Sequence, residues 1–453
     1  MKMRRFLSVL LCAAFILTLV PVGSVHAAEN SFTFDGLTIS GDIAASDLLY
    51  DDIKTLYLKP RQDGGFHTIT LSGTTVGKLS FVVSQNARAY ITLNNLQMIG
   101  DSFTFSVGSG ATAILYLRGQ NTLISNSGSG LIVNYNATVI IEQAPPKPGE
   151  NEEDIKGFLY ATGSADNPGI SAARKDWADG THSYPTLYIR SGTVTAIGGR
   201  QAAGIGGGNV KTRGKINISG GVVTAIGNRG AGIGGGNCSQ NGGEIYISGG
   251  IVNAYSSEAG AGIGGGDDDS DGGKIYIAGG LINAVGAGYA AGIGGGNNGT
   301  SGDITITGGT VIATGGSGGA GIGGGKHNNN EGGNVDTIRL YGGTIFASGK
   351  DGGEDIGRGA GGTSISEIFI ADHPDAPTNI PTAVFLRNDT PQASTFTNID
   401  SVYSHVGPKD YAGISQYGIE LPTLFPSTRP AITMTLPEGV EGPGDDWLTN
   451  FWA

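Results

Sequence analysis

Three adjoining pieces decide the fold: Lys215-Ile216-Asn217-Ile218-Ser219, Gly220-Gly221-Val222-Val223-Thr224-Ala225-Ile226 and Ala231-Gly232-Ile233-Gly234-Gly235-Gly236. Each alternates apolar with small or polar residues, and glycines bound each one. Period-two alternation of this kind describes a short strand with one buried face. The third piece recurs: Ala-Gly-Ile-Gly-Gly-Gly begins at Ala203, Ala231, Ala261, Ala291 and Ala320, at spacings of 28, 30, 30 and 29 residues. Self-similarity at a fixed period is the mark of a stacked repeat. No helical periodicity lies between the pieces, which excludes leucine-rich and helical repeats. Three strands per unit and no helix predict an all-β solenoid: a parallel β-helix in which each unit of 28–30 residues forms one coil.

Stacking the units predicts the core. Ile216, Ile245, Ile275, Ile304 and Ile338 should form one inward column, with Ile218, Ile247, Ile277, Ile306 and Leu340 beside it. The second strand sends in Val194, Val223, Val252, Ile282, Val311 and Ile345, next to the alanines 196, 225, 254, 284, 313 and 347. Only a small side chain fits where two sheets converge. The third strand contributes Ile205, Ile233, Ile263, Ile293 and Ile322, and its glycines allow a tight corner.

Worn copies of the glycine motif stand at Asn167–Ser171 and Glu354–Gly359, and further strands are predicted at Tyr90–Leu93, Ile114–Leu117 and Thr138–Ile141. The helix should therefore start soon after residue 31 and hold roughly a dozen coils, about 55–60 Å at ~4.8 Å per coil. Surface loops are expected at 143–157, which is rich in Pro and Glu, and at 172–185. The β-helix is assigned to residues 28–371, and residues 372–453 to an irregular segment that covers the open C-terminal edge.

Composition agrees. Glycine occupies 82 of 453 positions without a collagen triplet, mean hydropathy is −0.02, and charged residues are only 15%. A net charge of −12 with no basic tract argues against nucleic acid as a partner. Met1–Ala27 reads as an export signal: Lys2, Arg4 and Arg5, then an apolar run from Phe6 to Val20, then Val25-His26-Ala27. Export implies a secreted protein, held at the cell surface non-covalently if at all. No later stretch is long and apolar enough to span a bilayer. Past the signal only Cys238 remains, so no internal disulfide is expected.

The order of segments resembles the right-handed β-helix, carbohydrate-binding-type domains of secreted clostridial and related Gram-positive surface proteins. The residues that carry it are Ile91–Asn95, Leu115–Leu123, the stacked Ile-x-Ile-x-Gly-Gly-x-Val-x-Ala and Ala-Gly-Ile-Gly-Gly-Gly units, Pro377–Asn379, Ala383–Leu386 and Leu436–Gly439. The resemblance covers most of the chain past the signal. It implies a right-handed coil, as the twist of strands also favours, and an extracellular polysaccharide as partner.

Outward positions hold the candidate chemistry. Thr186, Lys215, Glu244, Lys274 and Asp303 form a column whose alternating charge reads as a ladder between coils. Beside it run Tyr188, Asn217, Tyr246, Tyr276, Thr305 and Arg339, an aromatic and polar stripe suited to stacking on sugar rings. Val222, Ile251 and Leu281 make an apolar column, either covered by a loop or used in self-association. The loops after each glycine motif differ between coils, which is how a regular scaffold acquires function. Trp177, in the 172–185 loop, is a further candidate for stacking on a saccharide. Asp267, Asp268, Asp269 and Asp271 cluster oxygens of the kind calcium takes, without following the EF-hand pattern. The recurrent Gly-x-Gly-x-Gly has no helix after it and is a corner device, not a nucleotide site.

The leading expectation is a secreted, non-catalytic polysaccharide-binding protein. Were it an enzyme, a lyase would draw its base and carboxylate-neutralising cation from Arg174, Lys175 and Lys211 near the aspartate loop. A glycoside hydrolase would pair Asp176 or Asp179 with an aspartate of that loop. A third reading is a structural surface or matrix filament.

Overall fold

The computed structural model describes residues 30–151, 155–172, 184–210, 214–239, 242–326 and 333–370, and the backbone of Ala383–Leu386. These residues form a right-handed parallel β-helix, with no α-helix among them. No helix of the described residues is long and apolar enough to cross a membrane. Three ladders wrap a single core. The first stacks Thr186–Ile189, Lys215–Ile218, Glu244–Ile247 and Lys274–Ile277. The second stacks Thr193–Ile197, Val222–Gly227, Ile251–Ser256 and Leu281–Val285. Asp303–Thr314 and Val335–Ser348 continue both ladders, each running through the corner between them. The third ladder joins two-residue strands, from Ile170–Ser171 through Ile205–Gly206, Ile233–Gly234, Ile263–Gly264, Ile293–Gly294 and Ile322–Gly323 to Ile356–Gly357.

Every inward column that the repeat predicts is present and in register. Val194, Val223, Val252, Ile282, Val311 and Ile345 are fully buried, as are the isoleucines of the third ladder from Ile205 to Ile322. The alanines pair 196↔225↔254↔284↔313↔347 and are buried throughout. At that close-packed corner a larger side chain would overfill the core, at a cost of about 1–3 kcal/mol. Both worn motifs join the third ladder. The upstream strands lie inside Arg88–Gly100, Thr112–Ser125 and Thr138–Gln143.

The beginning differs from expectation. Asn30–Phe34 and Leu37–Asp42 form an antiparallel hairpin, which lies antiparallel to the start of His67–Gly77. Leu48–Tyr50 is likewise antiparallel to Thr55–Leu58. Parallel stacking begins only where Thr55–Leu58 meets Ser80–Val83 and His67–Gly77 meets Arg88–Gly100. The reason is local: Asp35 and Gly36 both take positive φ (43° and 89°), the two-residue hairpin turn that Asp-Gly favours. The hairpin lays Leu37 and Ile39 over the end of the core, where both are fully buried.

Gln143 ends one strand and Gly157 begins the next, and the Gln143 side chain bridges the excursion, accepting the Gly157 N–H at 2.7 Å. Past Ile370 only the backbone of Ala383–Leu386 is described, paired with 344–347 of the second ladder.

Candidate binding face

The outward side of the first ladder carries the predicted stripe as one continuous column: Tyr188↔Asn217↔Tyr246↔Tyr276↔Thr305↔Arg339. Alternation places these side chains outside because Leu187, Ile189, Ile216 and Ile218 point in. Tyr246 and Tyr276 are each 39% exposed, with ring centroids 6.4 Å apart and planes tilted by 46°. Thr307 Oγ1 donates to the Tyr276 hydroxyl at 3.3 Å. Arg339 lies in the column, ion-paired to Glu367.

The register carries the column further toward the N-terminus than the repeat indicated: Tyr188↔Ile140↔Ile114↔Tyr90. Phe66 stacks on Tyr90 at 4.5 Å, and Tyr90 lies nearly parallel to Tyr116 at 6.3 Å and 14°. Arg88 sits 4.3 Å over the Phe66 ring. Tyr90 and Tyr116 were legible as strand residues; Phe66, just before His67–Gly77, was not. Membership of the three in the same stripe was not legible, because the early coils lack the glycine motif that aligns the later ones.

The flanking column holds the predicted charge ladder, Thr186↔Lys215↔Glu244↔Lys274↔Asp303. Lys215 Nζ lies 3.1 Å from Glu244 Oε2, and this partner raises the lysine's pKa. On the other flank Arg190 pairs with Glu142 at 2.8 Å and lies over the Tyr188 ring. Burial, and then the Glu142 charge, raise the pKa of the Tyr116 phenol.

The apolar column is real and open. In the register Val222↔Ile251↔Leu281, Val222 is half-buried and the other two are 43% and 37% exposed.

The aspartate loop serves several partners at once. Asp267, 3% exposed, accepts from Arg229 Nε at 2.7 Å and from Asn297 Nδ2 at 2.9 Å. Asp268 is exposed, 3.6 Å from Arg229, and accepts from the Cys238 thiol at 3.5 Å. Burial, and then this carboxylate, raise the pKa of that thiol. Asp269 is exposed. Asp271 is half-buried, accepts the Thr300 N–H at 2.8 Å, and has its pKa raised by burial. The four carboxylates therefore do not converge, and among the described residues no three His, Cys, Asp or Glu side chains are grouped to hold a metal ion. Beneath the loop Ser239 and Ser270 are buried and hydrogen-bonded to each other at 2.8 Å. Arg229 is the residue that sequence reasoning missed here. Its partner lies 38 residues away in the next coil, beyond any local motif.

Arg174, Lys175, Asp176, Trp177, Asp179 and Lys211 lie outside the described residues.

The class that fold and face define is a β-helix with one aromatic outward stripe. Residues 187–209, 216–237, 245–267 and 304–326 match the family model described as beta helix repeat. Each match runs from the first ladder to the loop after the glycine motif, so the model recognises the scaffold of one coil. No curated protein and no solved structure matches the chain.

Proposed function

We infer that this protein is exported by its Met1–Ala27 segment and binds polysaccharide, without cleaving it, on the outward face of the first ladder. The observation that carries the reading is the unbroken register that puts Tyr90, Tyr188, Tyr246 and Tyr276 on one column. An aromatic ring offers a sugar a flat apolar surface, and a tyrosine adds a hydroxyl at its edge. The resemblance to carbohydrate-binding β-helix domains supports the same reading. A lyase or hydrolase finds less support, since the two less exposed aspartates, Asp267 and Asp271, are held by different neighbours rather than gathered round one reacting bond.

The test is incubation of the chain from residue 28 onward with a panel of insoluble polysaccharides, with and without calcium. Depletion from solution and released products are both measured. Retention on at least one polymer without new oligosaccharides is the expected result. New reducing ends would overturn the non-catalytic reading, and absence of retention on every polymer would overturn glycan binding.

A further inference from the structure

We propose that the ligand is an uncharged polysaccharide chain lying parallel to the helix axis, bridging two aromatic clusters set apart along the stripe. The proposal rests on the glycan-binding reading and specifies the charge and direction of the bound chain.

The direction comes from the shape of the aromatic surface. One cluster is Phe66, Tyr90 and Tyr116, and the other is Tyr246 and Tyr276. From Tyr90 to Tyr276 the column crosses seven adjacent strands, through Ile114, Ile140, Tyr188, Asn217 and Tyr246. Six steps at ~4.8 Å put Tyr90 and Tyr276 about 29 Å apart along the stripe. Across the strands it is one or two side chains wide, because each strand shows only alternate residues outward. A linear polymer touching both clusters has to follow the axis.

The charge state comes from the flanks, where three of the five cations are already paired with acids. Arg190 is bound to Glu142, Lys215 to Glu244, and Arg339 to Glu367. Lys274 stands in register between Glu244 and Asp303. Arg88 is spent over the Phe66 ring. A polyuronate would bring a row of carboxylates against these four acids, on a chain whose net charge is −12, with only one cation in surplus along the stripe to receive them. Hydroxyls fill the remaining rim: Thr112, Thr138 and Thr186 in one register column, and Ser219, Ser248 and Thr307 on the opposite flank. Hydroxyls donate and accept, which suits the rim of a neutral sugar whose apolar face rests on a ring.

Affinity electrophoresis of the chain from residue 28 onward tests this, using soluble neutral polymers (xylan, galactomannan, mixed-linkage β-glucan) against polygalacturonate and alginate. Tyr90→Ala, Tyr276→Ala and the double variant are run beside it, each checked for an unchanged thermal midpoint. The expected result is retardation by at least one neutral polymer at low and high salt alike. Each single variant should bind that polymer about tenfold more weakly, and the double variant more weakly again. Retardation only by the anionic polymers, fading with salt, would overturn the uncharged ligand while leaving glycan binding intact. A neutral polymer whose affinity depends on Tyr276 but not on Tyr90 would overturn the axial, two-cluster arrangement. Failure on every polymer would overturn the underlying reading itself.

Discussion

At Gly264 every neighbouring coil carries the same residue; three positions on, at Asp267, the coils carry Asn237, Asp267 and Asn297 in turn. The two sites use stacking in opposite ways. Gly264 has φ of 130°, and a Cβ added there would meet the carbonyl oxygen of Gly294 at 2.1 Å. The same collision, coil on coil, faces Gly206, Gly234 and Gly294. Identity along the column is therefore a steric demand of the backbone. At Asp267 backbone bonds still join the coils, the Asp267 N–H donating to the Arg229 carbonyl at 2.8 Å, but the side-chain contacts that hold the loop differ from coil to coil: Arg229 and Asn297 on Asp267, the Thr300 N–H on Asp271, Asn237 on Gln201. A column is a shared constraint; the loop edge is a set of separate agreements, free to change one at a time.

Gly264→Ala strikes the constraint directly and should have the largest effect. The new methyl has backbone on its far side, so two coils must separate, and the positive φ adds strain of its own. A loss of about 3 kcal/mol or more is expected. Thermal unfolding checks it, together with limited proteolysis, because a solenoid can open locally around the damaged coil. A variant with an unchanged midpoint would mean that the glycine column is a habit of sequence, and the contrast with the loop edge would fail.

Arg229→Met tests the other side. It leaves the Asp267 carboxylate 3% exposed with Asn297 as its remaining side-chain partner. Breaking a buried pair by removing one member costs about 3–5 kcal/mol. Arg229 is itself partly open to solvent, so about 2 kcal/mol is the figure to expect here. Adding Asp267→Asn removes the stranded charge and should restore most of the loss, as a separable agreement would allow. If the double variant is no better than the single one, the edge is coupled to the stack more tightly than the contrast holds.

The same division decides what could be read in advance. The inward columns and the outward stripe from Tyr188 to Arg339 were legible because a residue's place in one coil predicts its place in the next. The Phe66–Tyr90–Tyr116 cluster obeys the same alternation, but its coils lack the Ala-Gly-Ile-Gly-Gly-Gly marker that would have aligned it with the rest. The antiparallel hairpin at the beginning had a readable signal, Asp35-Gly36 between alternating apolar residues, which the expectation of an unbroken helix overrode. The aspartate loop looked like a cation site because composition reports how many carboxylates lie close in sequence. It does not report that a half-open arginine from the preceding coil and an asparagine from the next have already engaged one of them.

The smallest effect belongs to the charge ladder, and it marks where the constraint ends on the column side. Lys215 and Glu244 are 3.1 Å apart, with side chains 44% and 29% exposed. An exposed pair of this kind contributes at most about 0.5 kcal/mol, and salt screens much of it. Lys215→Met should therefore lower the thermal midpoint only slightly at low salt and not at all at high salt. The pKa of Lys215 is raised by Glu244, so the pair's contribution is fully present below the ordinary lysine pKa. It is lost only as pH rises through the raised value, so the variant and the parent should converge in strong alkali and stay apart near neutrality. A large loss at every salt concentration would place the outward ladder under the same steric rule as the glycines. The division would then fall between backbone-facing and loop-facing residues, with the whole first ladder counted as scaffold.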